Sequence, residues 1–345
     1  MSLLPLPLAR TDSVLVSIAV PVYNEKEALP ELLSTVRRVM EATAYDYEIV
    51  MVDDGSRDGT TEMLERAAAT DPRIKALFFS RNFGHQIAIT AALDHASGDV
   101  VAVIDADLQD PPELLPQMLG VLLEGYDVVS AQRITRAGDS PFKRWTAKAF
   151  YWLMNKATDQ HMPPEVGDFR MFSRRAVLAL RQLPEQHRFM RGMVAWLGLK
   201  EAIVPYNRQP RVAGVTKYPL TKMVRFAWTA ITSFSALPLR LSTYFGLLIT
   251  VGGFGFALFS VYAAYVLHAT VPGWASLVVV NAIFSGAILT AIGLAGGYIA
   301  SLYEESKGRP LYIVSNIMNV DPAMRAANGV VLPPPVREYA HARSS

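Results

Sequence analysis

The sequence contains no cysteine. Disulfides, thiol nucleophiles and cysteine-ligated zinc or iron–sulfur centres are therefore excluded, and a catalytic part facing a reducing cytoplasm is the natural expectation. Charge imbalance is also missing. The 33 Lys and Arg against 31 Asp and Glu leave a formal net charge of +2, without the basic stripe of a general nucleic-acid binder. The six histidines, His85, His95, His161, His187, His268 and His341, lack metal-ligand spacing. No internal repeat is evident. Met1 to Asp12, broken by Pro5 and Pro7, has no long apolar core and does not read as a signal peptide. The most telling gap is local: between Arg240 and Glu304 there is no Asp, Glu, Lys or Arg. An uncharged run of that length reads as membrane-spanning.

Within that run two spans are expected, at about 241–267 and 275–303, joined by His268 to Trp274. Each is long enough to cross a hydrocarbon core of about 30 Å at a rise of about 1.5 Å per residue. The joining segment has no Lys or Arg, whereas Arg225 and Arg240 precede the first span and Lys307 and Arg309 follow the second. The positive-inside rule then puts both ends of the hairpin on the cytoplasmic side. Gly252, Gly253, Gly255, Gly286, Gly293, Gly296 and Gly297 permit close helix contacts, within the hairpin or between subunits. Ahead of the spans, residues 217–236 mix Lys222 and Arg225 with Met223, Phe226, Trp228 and Phe234. That mixture suits an amphipathic helix at the bilayer surface, with core packing of the aromatics as the alternative. Residues 304–320 are expected to lie close to the membrane, and 321–345, with Pro333 to Pro335, to form a disordered tail.

The first two hundred residues of the 345 read differently. After a flexible stretch, 1–13, apolar β-rich runs at Val14–Val20, Tyr47–Val52, Ile74–Phe79, Val100–Ile104 and Tyr126–Ala131 alternate with helical patterns. Those patterns cover Lys26 to Met40, Ile87 to Ala96 and Glu113 to Leu123. Such alternation predicts an α/β domain over 14–216, a mostly parallel sheet with helices on both faces. Ligands of such sheets sit beyond the carboxyl ends of the strands.

Polar motifs occupy those ends. Asp105 and Asp107 follow the run Val100–Ile104, and two residues apart on an extended chain their carboxylates share one side. Oxygen ligands of that kind suit Mg²⁺ or Mn²⁺. The alternative is an acidic loop in which Asp110 caps the helix and the other carboxylates are solvated. After Val52, Asp53 and Asp54 precede Gly55, Ser56, Arg57, Asp58 and Gly59. A carboxylate there accepts hydrogen bonds from a nucleobase imide or a ribose hydroxyl, or else Asp53, Ser56 or Asp58 caps the following helix. Beyond Ala131, Arg133, Arg136, Lys143 and Arg144 offer phosphate-binding forks or a solvated basic face.

Four segments carry a resemblance. Pro21-Val22-Tyr23-Asn24-Glu25, Val52-Asp53-Asp54-Gly55-Ser56-Arg57-Asp58-Gly59-Thr60, Ser80-Arg81-Asn82-Phe83-Gly84-His85-Gln86 and Asp105-Ala106-Asp107-Leu108-Gln109-Asp110-Pro111-Pro112-Glu113 occur in that order. Together they resemble the family 2 glycosyltransferases with a GT-A fold. Within that family the chain is similar, from about Ser17 to Asn319, to the polyprenyl-phosphate branch: the bactoprenol glucosyltransferases and, more distantly, the dolichol-phosphate mannose synthases. The resemblance implies a nucleotide pocket lined by Pro21, Tyr23, Glu25 and Asp54, with Asp53 beside them. Asp105 would lie near the ribose or diphosphate, and Asp107 and Gln109 would hold the metal. Arginines matching Arg133 and Arg144 would bind the acceptor phosphate.

Gly167-Asp168-Phe169-Arg170 resembles a motif next to the reacting centre. There Asp168 either orients the sugar or acts as a base, and Arg170 pairs with it or with phosphate. Asp105, Asp107 and Asp168 would then be the catalytic carboxylates. Arg208 to Tyr218 resembles the family's Arg-x-x-Gly-x-Ser-Lys loop, with Thr216 in place of Ser, and implies a lid whose Arg211 and Lys217 close on the donor diphosphate. His85 is expected to make structural hydrogen bonds. The implied activity is inverting transfer of a hexose, foremost glucose from UDP-glucose, to undecaprenyl phosphate at the cytoplasmic leaflet of a bacterial inner membrane. A homotetramer is implied as well. GDP-mannose, UDP-GlcNAc or an aminosugar nucleotide as donor is the alternative, as is a catalytically silent lipid-binding scaffold.

Overall fold

The computed structural model describes residues 14–134, 166–207, 237–266, 273–321 and 329–332. Two compact units divide the chain, one made of 1–151, 160–217 and 310–345, the other of 152–159 and 218–309.

The first unit is built on β1 (Leu15–Val22), α1 (Leu29–Glu41), β2 (Asp46–Asp53), α2 (Thr60–Thr70), β3 (Ile74–Phe79), α3 (His85–His95) and β4 (Val100–Val103). A single 3₁₀ turn, Pro112–Leu114, leads into α4 (Leu115–Leu123). There follow β5 (Val128–Arg133), β6 (Val166–Ser173), α5 (Arg174–Arg181), α6 (Met190–Leu197) and β7 (Glu201–Tyr206). The chain returns later with β8 (Tyr312–Met318) and β9 (Gly329–Val331). The nine strands among the described residues form one sheet in the order β7-β5-β6-β4-β1-β2-β3-β8-β9. The core pairs β4-β1-β2-β3 are parallel, as are β5-β7 and β8-β9, whereas β6 runs antiparallel to β4 and β5, and β8 antiparallel to β3.

The strands are apolar almost throughout because helices cover both faces. Val16, Ile18, Val20 and Val22 of β1 join Ile49 and Met51 of β2 in a cluster with Leu29, Leu32, Leu33 and Val36 of α1, Leu64 of α2, and Leu115, Met118 and Leu119 of α4. The alternate strand positions point the other way, where α3 packs on β1 and β2. The expected α/β layout is therefore present. α1 begins three residues later than the pattern suggested, since the Glu25 carbonyl accepts from both Ala28 and Leu29 N–H in a preceding turn and Pro30 sits in the first helical turn.

The end of the unit differs from expectation. Tyr312–Met318, within the 304–320 segment expected near the membrane, is strand β8, and Gly329–Val331, within the expected disordered tail, is strand β9. Tyr312 and Val314 of β8 are wholly buried in period-two alternation. The Tyr312 ring stacks on Phe79 with centroids 5.2 Å apart, and its hydroxyl donates to Asp94 Oδ2 at 2.9 Å. Side-chain burial holds this segment to the sheet.

In the second unit, α7 (Leu237–Tyr265) and α8 (Trp274–Ser306) pair with each other. Their stretches Leu241–Ser260 and Ile283–Ser306 are long and apolar enough to cross a membrane, with none of either stretch buried. Gly253 provides the close approach: a Cβ there would lie 2.7 Å from Phe284 Cζ. The expected interfacial helix, 217–236, lies outside the described residues.

Candidate active site

β4 stops at Val103, and the Ile104 N–H donates to Ala19 O, carrying the chain one residue past the strand beside β1. Asp105 and Asp107 therefore sit on a turn rather than on one extended strand. Leu108 turns the backbone with φ at +56°, a left-handed conformation that leucine adopts only under constraint. The Gln109 N–H donates to Asp107 Oδ1 at 3.1 Å, closing the turn. Asp110 does not cap a helix. Pro111 stands at the N-cap position of the 3₁₀ turn without a side-chain bond, and Asp110 is 1% exposed, accepting from the Tyr206 hydroxyl.

Facing the turn is a cluster from three other elements. His85, the first residue of α3, places Nε2 3.5 Å from Asp105 Oδ1 and 3.5 Å from Asp168 Oδ2. Gln86 Nε2 donates to Asp168 Oδ2 at 3.0 Å, while its Oε1 accepts from the Met190 N–H at 2.9 Å. Arg191 Nε donates to Asp168 Oδ1 at 3.2 Å. Burial opposes protonation of His85, but its bond to Asp168 and the charges of Asp105 and Asp168 outweigh burial and push its pKa up to about 9. Burial raises Asp105, and the carboxylates of Asp110, Asp168 and Asp107 add to it against the pull of His85, giving about 6. Asp168 goes the other way. Burial is overcome by Arg191, His85 and Arg170, which hold its carboxyl well below the ordinary range.

The neighbouring loops are tied together by their own polar groups. Asp54 is 3% exposed and accepts from Phe83 N and Gly84 N at 2.6 and 3.0 Å. Asp53 accepts from Ser56 N and the Thr61 hydroxyl, and Asp58 accepts at the start of α2 from Thr60 N. The Asn24 N–H donates to Ser56 Oγ, and Asn24 Oδ1 accepts from Arg57 N. Pro21 is buried in β1, whereas Glu25 is half-buried and Tyr23 is 47% exposed. Of the expected donor residues, Tyr23 and Glu25 thus offer surface, while Asp53 and Asp54 organise the loops from inside. Gly55 has φ at +72°, and a Cβ there would meet the Arg81 carbonyl carbon at 2.8 Å, so the two loops touch backbone to backbone.

Of the residues expected to bind the acceptor phosphate, Arg133 ends β5 beside Tyr206, the last residue of β7. Its Nε donates to the Tyr206 hydroxyl at 3.1 Å. Arg170 is not placed for a phosphate: it is 3% exposed, and its Nε donates to the Gly167 carbonyl. Its position on β6 between β4 and β5 buries it, and its charge acts on Asp168 instead. Arg136, Lys143, Arg144, Arg211 and Lys217 lie outside the described residues. Arg191 and Tyr206 had no motif to mark them. His85 and Gln86 stood within one, and His85 lies between the carboxylates of Asp105 and Asp168.

A hard cation fits the turn. Gln109 Oε1 and Asp105 Oδ1 are buried acceptor oxygens that receive no hydrogen bond among the described residues. No three His, Asp or Glu side chains among the described residues form a closed metal cage. An ion here would complete its shell with phosphate and water oxygens, as Mg²⁺ does. Asp105 and Asp107 thus gather just beyond the end of β4 with Asp168 of β6, and the partly exposed Arg133 stands at the end of β5.

The family model described as Glycosyl transferase family 2 matches residues 17–180. The uncharacterized glycosyltransferase YkcC of Bacillus subtilis (strain 168) is 45% identical over 305 residues, covering 88% of this chain and 94% of its own. The bactoprenol glucosyl transferase of Shigella phage SfV is 42% identical over 301 residues, 87% of this chain and 98% of its own. The prophage bactoprenol glucosyl transferase homolog of Escherichia coli (strain K12) is 40% identical over 302 residues, 88% and 99% of the two chains. With relatives this similar over nearly their full lengths, the chain belongs to glycosyl transferase family 2.

Proposed function

We propose that the protein transfers glucose from UDP-glucose to undecaprenyl phosphate, with inversion at the anomeric carbon. The observation that carries this reading is the 40–42% identity to proteins named bactoprenol glucosyl transferase over 87–88% of the chain, more than the catalytic sheet alone supplies. A lipid acceptor also explains why nucleotide-sugar chemistry and two membrane-length apolar helices share one polypeptide.

The acceptor needs no base. A phosphate monoester has its second pKa near about 6, so it is largely dianionic at neutral pH. Its oxygen forms the new bond to the anomeric carbon as the bond to the diphosphate breaks, and UDP departs with the electron pair. One displacement inverts the centre. Asp107 and Gln109 would hold Mg²⁺ or Mn²⁺, which would supply positive charge to neutralise the leaving diphosphate. Tyr23 and Glu25 flank the nucleotide, Asp54 fixes the loop behind it, and Asp105 faces the ribose or diphosphate. Asp168 orients the sugar, and Arg133, with Arg144, receives the acceptor phosphate. Arg211 and Lys217 close over the donor. The hairpin sits in the bacterial inner membrane with the catalytic unit and both termini cytoplasmic, and the protein works as a homo-oligomer. The test supplies purified full-length protein with undecaprenyl phosphate and a panel of UDP-glucose, UDP-GlcNAc and GDP-mannose. Glucosyl-lipid from UDP-glucose is the expected product; turnover only with another donor would reassign the sugar, and none with any donor would overturn the proposal.

A further inference from the structure

Behind the acidic turn, polar side chains from three elements meet around one hydroxyl. Tyr206 and Arg133 are register partners at the ends of β7 and β5. The Tyr206 hydroxyl donates to Asp110 Oδ1 at 2.5 Å and accepts from Arg133 Nε at 3.1 Å. Arg133 Nη2 lies 3.7 Å from the same Asp110 oxygen, outside hydrogen-bond range. Tyr206 is 5% exposed, its ring edge-on to Phe169 at 5.8 Å between centroids, and Asp110 is 1% exposed. The Arg133 side chain, in contrast, keeps 24% of its surface.

We infer that Tyr206 is a positioning residue: its hydroxyl stands between Asp110 and Arg133, holding the guanidinium off the carboxylate so that its outer edge meets the acceptor phosphate. The inference rests on the reading of Arg133 as an acceptor-phosphate residue. An arginine locked in a bidentate pair with a carboxylate has its fork occupied, and a phosphate would have to displace a buried anion to reach it. A neutral hydroxyl at Nε satisfies that donor without occupying the Nη1 and Nη2 edge. The same hydroxyl gives buried Asp110 a donor, which it needs. Asp110 directly follows Gln109, so one short piece of backbone joins the donor-side turn to the acceptor-side arginine. Gly167 gives an independent handle: a Cβ there would lie 3.1 Å from Arg133 Nη2, so a methyl group crowds the guanidinium.

The experiment measures binding of undecaprenyl phosphate, undecaprenol and UDP to the full-length protein in detergent, for wild type, Tyr206→Phe, Gly167→Ala, Arg133→Met and the Tyr206→Phe/Arg133→Met double variant. Tyr206→Phe and Gly167→Ala are each expected to raise the Kd for undecaprenyl phosphate about tenfold, and Arg133→Met more, with Kd for UDP and undecaprenol within about twofold. The double variant should bind undecaprenyl phosphate no worse than Arg133→Met alone. If Arg133→Met weakens undecaprenyl phosphate binding while Tyr206→Phe and Gly167→Ala do not, the positioning role is overturned and the acceptor reading stands. Parallel losses for UDP and lipid, or additivity in the double variant, overturn it too. An unchanged Kd in Arg133→Met removes the acceptor reading itself. Should Tyr206→Phe fail to fold, Gly167→Ala against Arg133→Met decides.

Discussion

Arg191 Nε lies 3.2 Å from Asp168 Oδ1, joining α6 to β6 across 23 positions of sequence. With Gln86 and His85 on the other oxygen, Asp168 is a fixed anion. Burial alone would raise its pKa, but Arg191 and then His85 hold it well below the ordinary carboxylate range. A group so depressed is ionised throughout the neutral range and is a poor proton acceptor, which suits orientation of the sugar. Wild-type kcat/KM is accordingly expected to show no Asp168 limb near neutrality. Arg191→Met should raise the Asp168 pKa, so that an acid limb enters the profile and activity is lost as pH falls through it. Asp168→Asn should lower kcat by about a hundredfold at every pH. An acid limb near pH 6 to 7 in wild type that disappears in Asp168→Asn, each read from a pH–rate series, would restore the base role.

Asp107 is half-buried on the turn and its Oδ1 accepts from Gln109 N–H. Asp107→Ala is expected to cut turnover by about a thousandfold or more, the scale of losing stabilisation of a leaving anion. The thermal melt should move little. Chelator added to wild type should give the same loss, reversed by excess Mg²⁺ or Mn²⁺. Retained turnover in the variant would sink the metal assignment.

What was legible follows from range. The strands β1 to β5 and the loops after them announce themselves through local alternation and Gly-Asp-Asn-rich breaks, and the acidic turn lies within one short stretch. Local patterns could not show β8, which reaches β3 only after the hairpin: Tyr312 and Asp94 are 218 positions apart. The same limit hid Arg191 and Tyr206, whose significance comes from approach across the sheet. It also hid the partner of Asp110, a residue that only the alternative reading of the turn places, as a helix cap. An Asp before two prolines and a helix has the pattern of a cap, and only the position of Tyr206 turns it inward.

Leu108 carries a positive φ, +56°, and is 7% exposed. Two costs compete in any substitution there. Truncating a buried leucine loses about 2–5 kcal/mol, while a left-handed non-glycine residue stores about 1–2 kcal/mol. Burial wins, so both Leu108→Ala and Leu108→Gly should destabilise. Their order should invert, though, with glycine the more stable by about 1 kcal/mol because it alone relaxes the strain. Comparative thermal melts read this out, and alanine melting higher than glycine would show that the turn is unstrained.

Glu48 and Lys75 test the fold away from the site. Glu48 is 6% exposed, with Oε2 2.5 Å from Lys75 Nζ. Ser17 Oγ and Ser97 N donate to its Oε1 at 2.6 and 2.8 Å, and Ser97 Oγ to its Oε2 at 2.6 Å. The network thus joins β1, β2, β3 and the approach to β4. Burial would raise the Glu48 pKa, but the bonds from Lys75, Ser17 and Ser97 together lower it. A folded-state pKa below the unfolded value of about 4.3 means that the stabilisation is complete above that value. It is lost as pH falls through the folded-state pKa. Glu48→Gln leaves a buried ammonium without its partner, worth about 3–5 kcal/mol, or a Tm lower by about 10 °C at pH 7. The gap to wild type should close as pH drops below about 4. Glu48→Gln/Lys75→Met should recover part of the loss at pH 7, since removing both charges ends the desolvation cost as well as the attraction. A wild-type-to-Glu48→Gln gap that stays constant down to pH 3, in melts of the full-length protein in detergent, would mean that the carboxylate's charge contributes nothing to holding these strands.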